Sequence, residues 1–186
     1  MKFPESKLAH KYLDGLKGIE IGGSAHNPFG LDTINVDLYP GPDSIYKKQE
    51  IELCGEALKV DVVAPGDDLP FANKSFDFVI SSHVIEHFYN PIKAMIEWER
   101  VARKYIFIIV PHRQRTFDKD RELTPFVTLY NRYVGISSDN DVRDDHWSVW
   151  EPETFRELCA MCDFDIVELQ DPDDKVGNGF IVVIKL

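Results

Sequence analysis

The sequence predicts an α/β fold, with one mostly parallel seven-stranded sheet, helices on both faces and an antiparallel hairpin at the C-terminal end. Short apolar segments alternate along the chain with longer amphipathic ones, which is typical of strand–helix–strand units. The 186 residues are 44% hydrophobic and 28% charged, and they suffice for one compact domain but not for two ordinary ones. We therefore expect residues 1–186 to form a single domain.

The first half of the chain supplies four strands and two helices. Residues 7–16 predict a leading helix, and residues 44–54 predict a second one. The fourth strand is apolar almost throughout, as expected of a strand that is covered on both faces. The four strands are assigned to residues 19–21, 34–37, 58–63 and 76–81.

The second half contains the clearest helix signals. Asn90 is a good N-cap and Pro91 suits the first helical position, so a helix begins there. Another helix begins at Pro152, and a long stretch at residues 112–150 is expected to be irregular. The last two strands are separated by a short, turn-rich segment and are therefore antiparallel. Strands five to seven are assigned to residues 105–110, 164–169 and 180–185.

The end of strand one has features of a ligand site. In sheets of this kind, ligands bind at the carboxyl ends of the strands, where the strand order reverses. The Gly22-Gly23 turn lets the backbone approach a ligand, although such a turn also ends strands that have no ligand nearby. Glu20 is more informative, because a buried carboxylate needs a partner and a cationic ligand would provide one.

Strand two ends in Asp37, seventeen residues after Glu20. A carboxylate at this position can accept two hydrogen bonds from the hydroxyl groups of a ribose. The alternative is an aspartate that only forms the turn beside Pro40 and Gly41. The position of Asp37 favours ribose binding.

The most specific pattern occupies residues 67–87. An acidic-Leu-Pro-Phe loop at 68–71 precedes Ser-Phe-Asp at 75–77 and Glu-His at 86–87. This run closely resembles class I S-adenosylmethionine-dependent methyltransferases, and in particular the small methyltransferase type 11 branch. Together with residues 20–23 and Asp37, the resemblance extends over residues 17–111. It implies a Rossmann-like fold, S-adenosylmethionine as the cofactor and methyl transfer as the reaction.

The resemblance also implies which residues contact the cofactor. The methionine and ribose parts would be surrounded by Glu20, Gly22, Gly23 and Ser24. The ribose hydroxyls would be held by Asp37, with Leu38 against the adenine. The adenine edge would be lined by Asp67, Asp68 and Leu69, and the methionine side near the methyl group by Ser81, Ser82 and His83.

The chain departs from the family pattern at three places. The glycine-rich turn has Ser24 and His26 where small residues usually alternate. Only about ten residues separate Gly23 from strand two, which leaves room for at most a turn or two of helix. The aspartate that commonly precedes the acidic-Leu-Pro-Phe loop is replaced by Pro65. We therefore expect these departures to weaken the binding of the cofactor rather than to abolish it.

The segment after strand five is the candidate acceptor site. His112 and His146 are candidate general bases, because a histidine pKa lies near neutrality. Cationic side chains there suit a phosphate or carboxylate on a small acceptor, such as the hydroxyl or amine of a sugar or nucleotide sugar. A solvated loop with internal ion pairs is an equally good interpretation. The candidate acceptor-binding residues are His87, Arg113, Arg115 and Arg121.

Composition and charge exclude several partners. A net charge of −11 repels phosphodiester backbones, so nucleic acid is an unlikely acceptor. No apolar run approaches the roughly 20 residues that cross a bilayer. Three cysteines and no apolar leader predict a cytoplasmic protein. Cys159 and Cys162 have the spacing of half a zinc site but lie on an apolar helix face, so we expect core thiols and no metal.

Two alternatives stay open beside methyl transfer. One alternative is a methyltransferase-like module that binds the cofactor or a partner protein without turnover, and the altered glycine turn is its main support. A nicotinamide-dependent oxidoreductase would also use Asp37, but the chain lacks its Gly-x-Gly-x-x-Gly turn.

Overall fold

The computed structural model describes residues 3–23, 29–41, 43–137 and 146–186, which form one α/β unit around a single sheet. The seven strands are β1 Lys17–Ile21, β2 Asp32–Asp37, β3 Val62–Val63, β4 Phe76–Ser82, β5 Ala102–Pro111, β6 Asp165–Gln170 and β7 Gly179–Lys185. The helices are α1 Lys7–Leu13, α2 Ile45–Cys54, α3 Pro91–Val101, α4 Phe126–Tyr133 and α5 Pro152–Met161. Short 3-10 turns occur at Ile85–His87, Arg113–Arg115 and Phe117–Asp120.

The strand order is β3-β2-β1-β4-β5-β7-β6. The first five strands of this order run parallel, and β7 pairs antiparallel with both β5 and β6. The predicted fold class and the C-terminal hairpin are therefore confirmed. Since the chain passes from β1 outward to β3 and then returns to β4 on the other side of β1, the order reverses between β1 and β4.

Both faces of the sheet are covered, because neighbouring residues of the central strands point to opposite sides. On β4, Phe78 and Ile80 pack with α1, whereas Val79 packs with residues of α3 and α5. Trp98 of α3 is fully buried, and its indole Nε1 donates a 2.8 Å hydrogen bond to the carbonyl oxygen of Gly66. This bond ties α3 to the loop that follows β3.

Local sequence signals set the helix ends. The Asn90 side chain accepts from the backbone N–H of Lys93, and Pro91 occupies the first turn of α3, as predicted. Helix α1 ends at Leu13 rather than at residue 16, because Asp14 is extended and Gly15 adopts a left-handed φ of 73°.

Two boundaries differ from the prediction. Regular pairing of β3 begins only at Val62, because the Asp61 side chain accepts the Asn35 N–H that a strand carbonyl would otherwise accept. The segment 112–150 is not irregular throughout: α4 and two 3-10 turns lie within it. Helix α4 buries Leu129 in the core against α3, a tertiary contact that gave only a short sequence signal.

The two cysteines of α5 differ in burial. Cys159 is fully buried, and this burial raises the pKa of its thiol to about 12. Cys162 is only half-buried, since it lies at the helix end, so the expectation that both are core thiols is correct for Cys159 alone. Both are free thiols.

A single aspartate organises the loop between β6 and β7. Asp173 Oδ1 accepts from the backbone N–H groups of Lys175 and Val176, and Oδ2 accepts from those of Gly177 and Gly179. Burial alone would raise the pKa of this carboxyl, but the four donors hold it below its ordinary value. Asp173 therefore stabilises the loop in its ionised form.

We expect Asp173→Asn to lower the free energy of unfolding by about 1.5–3 kcal/mol at neutral pH, the range for hydrogen bonds to charged groups. Because the folded pKa is depressed, this stability is present above the unfolded pKa and is lost as the pH falls through the folded value. In urea denaturation, the difference in free energy of unfolding between Asp173→Asn and wild type should become smaller as the pH is lowered from 7 to 3. Asp165→Asn, at an exposed residue of β6, is the control; a gap that stays constant with pH would contradict this account.

Candidate active site at the carboxyl ends of the strands

A cavity of about 470 Å³ lies at the carboxyl ends of β1, β2 and β4, where the strand order reverses. Its floor is formed by strand ends and its walls by the loops after β2, β3 and β4. The lining residues that sequence analysis predicted are Gly22, Asp37, Leu38, Asp67, Ser82, His83 and His87. The cavity is also lined by residues that sequence analysis assigned neither to the cofactor nor to the acceptor, including Tyr39, Tyr46, Gly66, Phe88 and Tyr89.

The glycine turn after β1 is as close to the cavity as predicted. Gly22 has a left-handed φ of 68°, and its N–H donates a 2.8 Å bond to the carbonyl of Val36. A Cβ at this position would lie 2.7 Å from Val84 Cγ2, so glycine is required on both grounds. Gly23 lies outside the lining and donates to the side chain of Asn35, and Ser24 falls outside the described residues.

Glu20 is buried and does not line the cavity. Burial raises the pKa of its carboxyl to about 7, although the charge of Lys175 and a hydrogen bond from Thr33 oppose the rise. Among the described residues, the partners of Glu20 are therefore side chains of the protein, and a cationic ligand as a further partner stays a prediction.

Asp37 serves the turn and the cavity together. Its Oδ1 accepts from the N–H of Tyr39 at 2.9 Å, which is the turn-forming interaction. Its Oδ2 lies 3.8 Å from Lys47 Nζ, beyond hydrogen-bond reach. Beyond Asp37, the exposed Leu38 and the stacked rings of Tyr39 and Tyr46, 5.4 Å apart, form an apolar wall.

The acidic loop contributes less than predicted. Asp67 lines the cavity and pairs with Lys93 at 2.9 Å. Asp68 is exposed to solvent and lies outside the lining. Leu69 is buried outside the lining, and its N–H donates to Glu97, which fixes the loop. Gly66 lines the cavity instead, and a Cβ there would lie 2.8 Å from both Ile21 and Phe88.

The end of β4 brings polar groups to the cavity. Ser82 and His83 line it, whereas Ser81 is fully buried beside it. His83 has a left-handed φ of 55°, and its ring nitrogens contact Ser82 Oγ at 3.1 Å and Asn178 Oδ1 at 2.9 Å. Burial lowers the pKa of His83, although the charge of Asp173 opposes it, so the imidazole is neutral at pH 7.

The segment that precedes α5 reaches the cavity through Trp147. The N–H of Trp147 donates a 2.7 Å bond to the carbonyl of Glu86, and the Trp147 side chain joins the lining. The indole packs edge-on to Tyr89, with ring centroids 5.0 Å apart. The Arg132 guanidinium lies 5.1 Å from the Tyr89 ring centroid and donates to the carbonyl of Trp147.

Two histidines and a buried glutamate gather beside this segment. His146 Nε2 and His87 Nε2 lie 3.7 and 3.8 Å from Glu86 Oε1. His146 Nδ1 contacts Asp118 Oδ2 at 2.5 Å. Burial raises the pKa of Glu86 to about 8 and lowers that of His87 to about 4. Only His87 of this group lines the cavity, so His146 stands behind the wall rather than in it.

The remaining predicted acceptor residues lie elsewhere. His112 contacts Gln114 and packs against Phe180, and Arg113 pairs with Glu151 at 2.9 Å. Arg115 pairs with Asp171, and Arg121 pairs with Asp118 at 2.6 Å. None of these four residues lines the cavity. The internal ion pairs that sequence analysis left as the alternative therefore describe the three arginines.

Comparison with known proteins agrees with this geometry. The methyltransferase type 11 family model, described as a methyltransferase domain, matches residues 23–109. An uncharacterised protein of Methanocaldococcus jannaschii is 33% identical over 109 residues, which cover 57% of this chain and 49% of that protein. The chain thus spans about half the length of this curated relative.

Solved structures share the fold at low identity. A protein of Pyrococcus horikoshii has a TM-score of 0.59 at 16% identity, covering 96% of this chain and 85% of its own. A S-adenosylmethionine-dependent methyltransferase of Methanosarcina mazei has a TM-score of 0.57 at 15% identity, covering 98% of both chains. One of Thermotoga maritima has a TM-score of 0.56 at 16% identity, covering 93% of this chain and 83% of its own.

The fold is the one shared by the solved S-adenosylmethionine-dependent methyltransferases of Methanosarcina mazei and Thermotoga maritima. The family model covers residues 23–109, just under half of the chain, and this match supports the recognition, the enzyme class and the cofactor expected from sequence. Among the described residues, no helix is long and apolar enough to cross a membrane.

We expect Gly22→Ala to lower the free energy of unfolding by about 1–3 kcal/mol, the usual cost of a strained backbone. Gly41→Ala is the matched control, because an added Cβ there meets no atom within 4 Å and the backbone is not left-handed. It should change stability by less than about 0.5 kcal/mol. Urea denaturation of the three proteins measures both effects; equal midpoints for Gly22→Ala and wild type would contradict the structure of the turn.

Proposed function

We propose that this chain transfers a methyl group from S-adenosylmethionine to a small acceptor bound in the cavity beside Trp147. The observation that supports this most directly is the cavity itself, which combines the close glycine turn of β1 with the carboxylate of Asp37 at the end of β2. Its volume of about 470 Å³ is in the range of small-molecule sites. The acceptor and the reaction of the whole protein are part of this proposal.

The residues at the strand ends suit the cofactor. Asp37 Oδ2 has no donor within hydrogen-bond distance among the described residues, so it can accept from a ribose hydroxyl. Leu38 and the paired rings of Tyr39 and Tyr46 offer an apolar surface to adenine. Because Gly22 has no side chain, the cofactor can approach the backbone closely at the end of β1.

The chemistry needs little further from the protein. The bound cofactor supplies an activated methyl group on a sulfonium, so the chain has to orient the acceptor and exclude water. Phe88, Tyr89 and Trp147 form an aromatic wall that can exclude water from one end of the cavity. The neutral His83 can take a hydrogen bond or a proton from an acceptor hydroxyl only if that hydroxyl replaces Ser82 Oγ at Nδ1, because Nε2 donates to Asn178 Oδ1.

We further propose that the acceptor is a small anionic molecule, of the sugar or nucleotide-sugar type, with a reactive hydroxyl or amine. Aromatic faces such as Tyr89 and Trp147 suit the apolar faces of sugar rings, and Arg132 places a positive charge beside them. The overall charge of −11 disfavours nucleic acid. Among the arginines, Arg132 takes the role that sequence analysis gave to Arg113 and Arg115.

Isothermal titration with S-adenosylhomocysteine tests the cofactor site. Asp37→Ala should weaken binding roughly tenfold to a hundredfold, equal to about 1–3 kcal/mol for unpaired polar groups. Asp32→Ala, at the exposed opposite end of the same strand, should bind as wild type does. Folded wild-type protein that binds neither S-adenosylmethionine nor its product would overturn the proposed function.

A screen of sugar phosphates and nucleotide sugars with labelled cofactor tests the acceptor class. On an active acceptor, Trp147→Leu should raise KM about tenfold, because it removes the aromatic wall. Arg115→Ala should leave KM unchanged, because Arg115 pairs with Asp171 away from the cavity. The opposite result, with Arg115 needed and Trp147 dispensable, would move the acceptor site to the segment after β5.

A further inference from the structure

The Glu86 carboxylate is buried without a compensating partner. The residue is only 1% exposed, and neither carboxylate oxygen receives a hydrogen bond from the part of the chain that the structure describes. A buried polar group without a partner is costly, and a buried carboxylate especially so. Such a group in a well-packed site indicates a missing positive partner.

Two imidazoles face this carboxylate. The nearest ring nitrogens are Nε2 of His87 and Nε2 of His146, at 3.8 and 3.7 Å from Oε1. Both distances are too long for a hydrogen bond. One donor atom from each of the three residues lies within 4.8 Å of the others. Ligands about 2.1 Å from a tetrahedral ion lie about 3.4 Å apart, so modest side-chain rotations would bring all three into contact with one ion.

The histidine at the back of the cluster is held as a metal ligand would be. His146 Nδ1 lies 2.5 Å from Asp118 Oδ2, and Asp118 is itself buried and held by Arg121 at 2.6 Å. A carboxylate that accepts from Nδ1–H leaves the lone pair on Nε2, which is the atom that faces Glu86. Carboxylate–histidine–metal arrangements of this kind orient the ligand ring.

The backbone also fixes the cluster. The carbonyl of Glu86 accepts from the N–H groups of Trp147 and Ser148, at 2.7 and 3.3 Å. These bonds hold His146 against the 3-10 turn Ile85–His87, sixty residues earlier in the chain. The three side chains therefore stand on connected elements rather than on independent loops.

We propose that Glu86, His87 and His146 bind a divalent transition-metal ion at the wall of the cavity, with Asp118 orienting His146. Two imidazoles and one carboxylate are typical ligands of Zn²⁺, and they also suit Mn²⁺, Fe²⁺ and Co²⁺. A metal ion would neutralise the buried carboxylate and occupy the lone pairs of both rings. This proposal departs from the expectation from sequence that the chain binds no metal.

The position of His87 indicates where the ion would act. Its side chain is 33% exposed and lines the cavity, whereas Glu86 and His146 are buried. A fourth ligand position would thus open towards the cavity. Resting on the proposed function, we infer that an acceptor oxygen occupies this position, where the ion would orient it and lower its pKa.

Calorimetric titration of chelator-treated protein with ZnCl₂ or MnCl₂ alone is the direct test. Wild type should bind one equivalent, and Co²⁺ should give visible absorption bands of an ordered site. His146→Gln and His87→Gln should weaken binding at least a hundredfold, and Asp118→Asn about tenfold to a hundredfold. His10→Gln is the matched control, because His10 lies beside Glu5 and Asp14 on the surface, far from the cluster, and should bind as wild type does.

Glu86→Gln separates loss of the ligand from loss of the fold. Burial raises the pKa of Glu86 to about 8, so glutamine replaces a largely neutral carboxyl group of the same shape in the metal-free protein. The metal-free variant should therefore melt no lower than metal-free wild type, while its metal affinity falls at least a hundredfold. Unchanged metal affinity in Glu86→Gln, or no saturable binding to folded wild type, would overturn the metal site. A protonated Glu86 paired with His146 would then be the remaining account of the cluster.

Titration of the same preparations with S-adenosylhomocysteine keeps the two proposals apart. Metal-free protein and the Glu86→Gln variant should still bind the product, because neither Asp37 nor Gly22 is altered. Product binding without metal binding would overturn only the metal site. Metal binding without product binding would overturn only the proposed function.

Discussion

The parallel pairing of β1 with β2 on one side and β4 on the other is the constraint on which the rest of the structure depends. Parallel strands end at the same edge, so this pairing places Gly22, Asp37 and Ser82 at one mouth although they are far apart in sequence. The chain leaves β1 towards β2 and later enters β4 on the other side of β1. The loops therefore diverge between β1 and β4, and the cavity lies at this position. Burial of both sheet faces makes the register difficult to shift.

The wall beside Trp147 depends on a second long-range contact. The carbonyl of Glu86 accepts from the N–H of Trp147, and this bond brings the segment after α4 against the turn after β4. The contact supplies the cavity with an aromatic side chain. It also places His146 beside Glu86, whose carboxylate oxygens receive no hydrogen bond from the described residues.

Electrostatic pairing explains why an acidic chain carries a basic segment. Arg113 and Arg115 each pair with a carboxylate of another part of the chain, Glu151 and Asp171, whereas Arg121 pairs with Asp118 within its own turn. Because these pairs are only partly buried, each contributes modestly to stability. Their effect is to tie the segment after β5 to α5 and to the β6–β7 loop, which shapes the region behind the cavity.

By itself, the sequence determined the fold class, the antiparallel pairing of the C-terminal hairpin, the helix starts at Asn90 and Pro152, and the positions of Gly22 and Asp37 at the ends of β1 and β2. These follow from local rules, namely apolar periodicity, capping residues and turns that directly follow strands. Ser82 and His83 were placed near the cofactor by the resemblance to the methyltransferase family, and both line the cavity together with His87.

Only the tertiary structure decided which distant groups meet. The partner of Glu20 is Lys175, the arginines pair internally, and His146 joins Glu86 and His87, because side-chain contacts between remote segments leave no periodic signal in the sequence. The apolar pattern around Leu129 was too short to predict α4, because this helix buries Leu129 only by packing against α3. Local sequence patterns predicted which strand ends meet at the edge of the sheet. The residues that form the cavity wall beside Trp147 depended instead on contacts between distant parts of the chain.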